Sequence, residues 1–184
     1  MLAAALAGSV TVAVAGQVWL QATFATVRHP VALGVANAAT DAPVVRGWLE
    51  VLLAQGTLDR MVATELVDLV WVVGVMASVV LLTLLAARHL ETRAPRVARV
   101  LRRVAPWTAL APGLDLLENG LSLALLADPL GFPPVLAVAH GTVGTVKLAA
   151  MVAVGVVVPG LWLLAWTWSA RRGHTKAGRG PGRE

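Results

Sequence analysis

Four apolar runs, each long enough to cross a bilayer, constrain this chain more than any other feature of its sequence. A membrane-spanning helix needs roughly 20 mainly apolar residues. Such runs lie at about 2–27, 66–87, 104–127 and 135–168. The first ends at Arg28-His29-Pro30, the second at Arg88-His89, the third before Asp128-Pro129 and the fourth ahead of Arg171-Arg172. The fourth is long enough to tilt, or to bend at Pro159-Gly160. The expected fold is therefore all-α: a polytopic membrane protein with a single four-helix transmembrane domain over 1–170 and a basic, disordered tail over 171–184. Composition agrees. Hydrophobic residues make up 58% and charged residues 14%, against about 45–50% and about 25% in soluble domains. That excludes an ordinary soluble domain, and disorder over most of the chain. With no cysteine and no tyrosine, disulfides, thiol redox chemistry, thiolate metal sites and phenolic catalysis are excluded as well.

The charges set an orientation. The segments from Arg88 to Arg103 and from Arg171 to the end hold eleven of the fifteen basic residues, opposed only by Glu91 and Glu184. By the positive-inside rule both are cytoplasmic, which places both termini inside an inner (plasma) membrane crossed four times. Ala13-Val14-Ala15 resembles a signal-peptide cleavage site. No basic n-region precedes it, however, and the apolar run continues past it, so the first run reads as a retained span.

The outer loop, 28–63, is long enough to hold structure. Asp41 suits an N-cap, Pro43 a first turn and Gly56 a helix end. Val44, Val45, Trp48, Val51, Leu52 and Gln55 fall on or beside one stripe. They suit either a short interfacial helix on the outer leaflet or packing against the bundle ends. In the inner loop, Val97, Val100, Leu101 and Val104 form one face of a helix whose other face is arginine. That pattern suits a topology anchor on anionic lipid head groups. No aromatic residue follows Arg171 to stack on bases, so nucleic acid is not an expected partner. Trp107, Trp162, Trp166 and Trp168 fit an interfacial aromatic belt. No internal repeat is found, though a homo-oligomer or another membrane subunit could complete the assembly.

The ionisable residues inside the spans are the informative ones, because a mid-bilayer charge costs about 2.5–3.5 kcal/mol on the insertion scale. Asp115, Glu118 and Asn119 share a face of the third span at i, i+3, i+4. His140, Gly144, Lys147 and Met151 share a face of the fourth. At 1.5 Å per residue, Asp115 and Lys147 each lie about 18 Å below the outer boundary. That depth match predicts a Lys147–carboxylate pair. If the third span begins only at Pro112, its carboxylates lie nearer the cytoplasmic interface. Pro112-Gly113 is expected to weaken that helix and expose backbone groups to a cavity. Gln17 and Gln21 share a face of the first span, continued by Arg28, and Glu65 and Asp68 share one at the outer start of the second. The polar positions thus run from mid-membrane outward, and Asp115, Glu118, Asn119, His140, Lys147, Gln17 and Gln21 are the candidate ligand-binding or proton-relay residues. No metal-site spacing and no cofactor motif is present.

Asp115-Leu-Leu-Glu118-Asn119 in the penultimate span, with Lys147 in the next, resembles a loose group of small four-span bacterial membrane proteins that pair a D-x-x-E-N motif with a lysine one helix later. The resemblance covers mainly the second half of the chain. It implies that the carboxylates and the lysine belong together and supplies no reaction. Three functions suit these residues: binding or translocation of a proton, ion or small polar solute; a structural or accessory membrane subunit held by its charges; and an intramembrane enzyme acting on a lipid or isoprenoid, with the carboxylates as acid and base.

Overall fold

A computed structural model describes residues 1–177, with only a few side chains described beyond residue 153. Over these residues the chain is helical throughout: α1 (Leu2–Val27), α2 (Leu33–Asn37), α3 (Ala42–Gln55), α4 (Leu58–His89), α5 (Pro95–Val104), a 3-10 turn (Ala105–Ala109), α6 (Leu110–Ala127) and α7 (Pro134–Ala177). Four stretches are long and apolar enough to cross a membrane: Leu2–Val27, Leu58–His89, Pro95–Ala127 and Pro134–Ala153.

Small residues set how closely the first two spans approach. A Cβ added at Gly16 would stand 2.9 Å from the Trp71 backbone, and one at Gly74 would stand 2.6 Å from the Ala13 backbone. Without side chains at these two places, α1 and α4 lie in backbone contact, as helices in lipid do where small residues meet. Ser78 secures the seam, its hydroxyl 2.7 Å from the Gly74 carbonyl and 3.1 Å from the Ser9 hydroxyl. α6 then packs between α4 and α7.

α4 starts at Leu58, well before the span expected from residue 66. Gly56, at φ 65°, ends α3 in the left-handed region, and its amide bonds the carbonyls of Leu52 and Leu53. The new helix begins almost at once with Asp59 in its first turn, where the positive end of the helix dipole favours a carboxylate. Glu65 and Asp68 therefore lie about two turns inside the helix, among buried residues, rather than at its edge.

One end of the bundle, called here the capped end, is closed by α2, α3 and the α6–α7 turn. Asp41 is the N-cap of α3, its carboxylate accepting from the Val44 amide at 3.2 Å. Val45, Leu49 and Leu52 of α3 are buried against Met61, Leu126 and Phe132, so α3 packs on the bundle. The apolar stripe is rotated from the one expected: Leu49 is in, while Val44 and Val51 are exposed. Arg46 ties the cap across, donating to the Phe132 carbonyl at 2.7 Å and lying over the Phe132 ring. The α6–α7 turn is held by Asp128, whose carboxylate accepts from the Gly131 amide at 3.0 Å.

The opposite, basic end carries α5. Ala98 and Leu101 are buried against Ala86, Ala87 and Leu90 at the end of α4. Val97 and Val104 are half-buried, and Val100, expected on the apolar face, points outward. Arg96, Arg99 and Arg103 are exposed. Arg102 lies 2.7 Å from Glu91 and holds that carboxyl below the usual range. Trp107 is exposed at this end; the side chains of Trp162, Trp166 and Trp168 lie outside the described residues.

Two further expectations need correction. α6 does not break at Pro112-Gly113. Pro112 falls in its first turn, where a proline amide would have had no helical partner, and the irregularity comes earlier, as the 3-10 turn. α7 passes through Pro159 and on to Ala177, into the tail expected to be irregular from Arg171. Arg171, Arg172, Lys176 and Ala177 favour the helix while Gly173 and Thr175 oppose it, and no proline stops it before Pro181.

Candidate functional site

α6 presents Asp115, Glu118, Asn119 and Ser122 along one face, and each of the four is buried. That i, i+3, i+4, i+7 spacing makes a polar stripe on an otherwise apolar helix. Its neighbours answer it on both sides, in three rungs. On the deepest, Lys147 of α7 pairs with both Asp115 and Glu118. On the middle one, Asn119 donates from Nδ2 to Asp68 Oδ2 at 2.9 Å. On the third, nearest the capped end, Ser122 donates from Oγ to Glu65 Oε1 at 2.6 Å. From Ser122 to Asp115 the stripe descends about 10 Å along the helix.

Burial gives the cluster its chemical character. Asp115 is fully buried, Glu118 is 1% exposed, and Glu65 and Asp68 are buried too. Four carboxylates thus share a space that contains one ammonium group. His140 of α7 stands beside them, 5% exposed, with Nε2 3.9 Å from Glu118 Oε1. Among the described residues neither ring nitrogen of His140 has a hydrogen-bond partner, nor do Asp115 Oδ2 and Glu118 Oε1. In native proteins such orphaned polar atoms are uncommon, and they mark bound water, an ion or a working group.

Above the cluster lies a small cavity with His140 and Ser122 on its inner side and His29, Asn37 and Trp48 on its outer side. It offers about 40 Å³ to water centres, room for about two or three waters. His29, just beyond α1, sits between the rings of Phe24 and Trp48 at centroid distances of 5.8 and 5.7 Å. Its Nδ1 is 3.0 Å from the Val31 carbonyl oxygen. Burial lowers its pKa from 6.5, opposed by that backbone contact, so the ring is neutral at neutral pH.

The segment around α2 closes the cavity from above. The Asn37 carbonyl rests on Gly144 and the Ala39 carbonyl on Gly141. A Cβ at Gly144 would run into the Asn37 carbonyl and stand 3.3 Å from Glu118 Oε1. Glycine at these two positions lets the cap reach the cluster. Toward the basic end the polar stripe of α6 stops among the described residues. Ala111 and Pro112 are buried below Asp115. Thr108 and Thr83 direct their hydroxyls to carbonyls of their own helical segments, at 2.7 Å each.

Of the residues singled out from the sequence, the structure brings together Asp115, Glu118, Asn119, Lys147 and His140. Gln17 is half-buried and Gln21 exposed on α1, and no described side-chain hydrogen bond joins either to the cluster. Arg28 caps α1 in the left-handed region at φ 56° and is exposed. Sequence reasoning placed Glu65 and Asp68 together but left them outside the site, and it missed Ser122. The signal for Ser122 was available, since it continues the Asp115–Glu118–Asn119 face by one turn. No three His, Asp or Glu among the described residues are arranged to hold a metal ion. Comparison with protein-family models, curated proteins and solved structures finds no match, so the chemistry of the cluster carries the functional reading.

Proposed function

We propose that the chain is a multi-pass plasma-membrane protein of bacterial type, with both termini cytoplasmic, whose buried acidic cluster binds and releases protons as part of proton or small-cation translocation. One observation carries this reading: four buried carboxylates share one lysine. Charges kept only to hold helices together would be expected to balance, because each uncompensated buried charge costs several kcal/mol. Here the negative excess calls for protons or a small cation as counter-charge, and a site that must hold them can also exchange them. The cavity supports a ligand of that size. At about 40 Å³ this cavity is far smaller than the roughly 300–1,000 Å³ of ordinary small-molecule sites, and it suits water and a proton or small cation rather than a lipid chain.

The arginine-bearing end supports the orientation. Arg96, Arg99 and Arg103 are exposed on α5, beside the exposed Trp107 and Val100, an arrangement suited to anionic lipid head groups on the cytoplasmic leaflet. The capped end then faces outward. A purely structural or accessory role is the second reading, favoured by the way Lys147, Asn119 and Ser122 tie α4, α6 and α7 together. Infrared difference spectra of reconstituted protein, titrated with pH, separate the two. The proposal expects carboxylic-acid bands that grow on acidification, one of which disappears in Glu118→Gln. A spectrum without any titrating carboxyl band refutes it.

A further inference from the structure

We infer that His140 hands protons between the cavity and Glu118, so that the acidic cluster is loaded through the capped end of the bundle. This rests on the proton-binding reading above and adds a route and a relay residue to it. Three observations define the route. Among the described titratable residues, His140 both lines the cavity and stands beside the Lys147-paired carboxylates. Its ring is buried and neither nitrogen has a partner among the described residues, which leaves both to the waters the cavity has room for. Among the described residues the polar stripe of α6 ends below Asp115 against Ala111 and Pro112, whereas above it the cavity reaches His29 and Asn37, which are half-buried.

The relay needs both ring nitrogens. A hydronium in the cavity gives its proton to one nitrogen, and the N–H on the other nitrogen passes its proton to the Glu118 carboxylate. A water stays in the cavity, Glu118 becomes a carboxylic acid, and the ring ends as the opposite tautomer. A half-turn about the Cβ–Cγ bond leaves the tautomer as it is but exchanges the two sides of the ring, turning the protonated nitrogen toward Glu118 and the bare one toward the cavity for the next transfer. The 3.9 Å between Nε2 and Glu118 Oε1 must close by about 1 Å for direct transfer, a side-chain movement that breaks no hydrogen bond to another described residue. The charged and titratable groups of the cluster around it are Glu118 and Asp115 on α6, Glu65 and Asp68 on α4, Lys147 on its own helix and His29 across the cavity.

The test follows the Glu118 carboxylic-acid band after a rapid pH step on one side of proteoliposomes. The chain has no cysteine of its own, so a single Glu50→Cys on exposed α3 reports with an impermeant thiol reagent which face is outward. Acid on the capped side should produce the band quickly, and acid on the opposite side slowly. In His140→Gln the final amplitude should persist while its appearance slows about a hundredfold, the lower range for loss of a proton-transferring group. Ala36→Leu, which fills the cavity from α2 without removing a polar group, should slow it too and guards against a folding defect in the histidine variant. Unchanged rates in both variants, or faster loading from the basic side, overturn the inference while the Glu118 band itself still stands. Absence of that band in the wild type defeats the proton-binding reading instead.

Discussion

Lys147→Met puts the central ion pair to the sharpest test. The ammonium group touches both Asp115 and Glu118, and those carboxylates are fully buried and 1% exposed. Asp115 Oδ2 and Glu118 Oε1 have no hydrogen-bond partner among the described residues, so nothing nearby takes over when the lysine goes. Methionine fills much of the same volume, so the loss is one of charge and hydrogen bonding rather than of packing. Removing one partner of a buried pair costs about 3–5 kcal/mol. For a chain of this length that corresponds to a fall of about 6–20 °C in Tm. Removing both sides together leaves no stranded charge. The triple variant Asp115→Asn, Glu118→Gln, Lys147→Met should therefore recover most of the loss, and replacement of a buried pair by neutral groups is often neutral or stabilising. The assay is thermal unfolding in detergent for the wild type, Lys147→Met and the triple variant. If Lys147→Met melts with the wild type, the pairing does not support the fold and the charge argument fails. If the triple variant melts as low as the single one, the charges hold the bundle together and the structural reading gains.

Three further outcomes follow from other contacts. Gly74→Ala should destabilise by about 1–3 kcal/mol, because its Cβ would stand 2.6 Å from the Ala13 backbone; a melt equal to that of the wild type would mean that α1 and α4 do not touch there. Asp41→Ala removes the cap of α3 and should cost about 0.5–2 kcal/mol, with faster amide exchange over Val44 and Val45 as the local readout. His29 has a folded pKa below 6.5, so the unfolded chain binds a proton there that the folded chain refuses. Its share of stability is full above 6.5 and is lost as pH falls from 6.5 toward the folded value. Melts in His29→Gln should depend less on pH across that window than melts of the wild type, and parallel curves would rule the effect out.

Much of this architecture was legible in the sequence because lipid-crossing helices announce themselves by length. The pairing of Lys147 with Asp115 followed from counting residues inward from two independently placed helix ends. What sequence reasoning could not supply was rotation. Val44 and Leu49 are both apolar and near each other along α3, and only packing against Phe132 and Leu126 decides that Leu49 goes in. Gln17 and Gln21 looked like lining residues because polar side chains in a span usually face a neighbour. Yet the face of α1 that meets α4 is chosen by Gly16, where backbone approaches backbone, and this turns Gln21 outward. Pro112 looked like a break because a proline in a run is ambiguous until the start of the helix is known. Glu65 and Asp68 were placed at an edge because hydropathy falls where acids begin, although the helix itself starts two turns earlier.

The one-sided descent of the polar stripe also makes the site electrical. Glu118 lies nine residues below the end of α6 at Ala127, or about 14 Å, in a hydrocarbon core of about 30 Å. A proton arriving from the capped end and stopping at Glu118 would cross nearly half of the membrane field. Moving a full charge across costs or gains about 2.3 kcal/mol per 100 mV, so this partial journey is worth about 1 kcal/mol per 100 mV. That changes the ratio of filled to empty sites about fivefold. In the proposed orientation, with the capped end outside, an inside-negative potential would draw protons into the cluster and depolarisation would let them go. Occupancy would then follow the energisation of the membrane as well as external acidity.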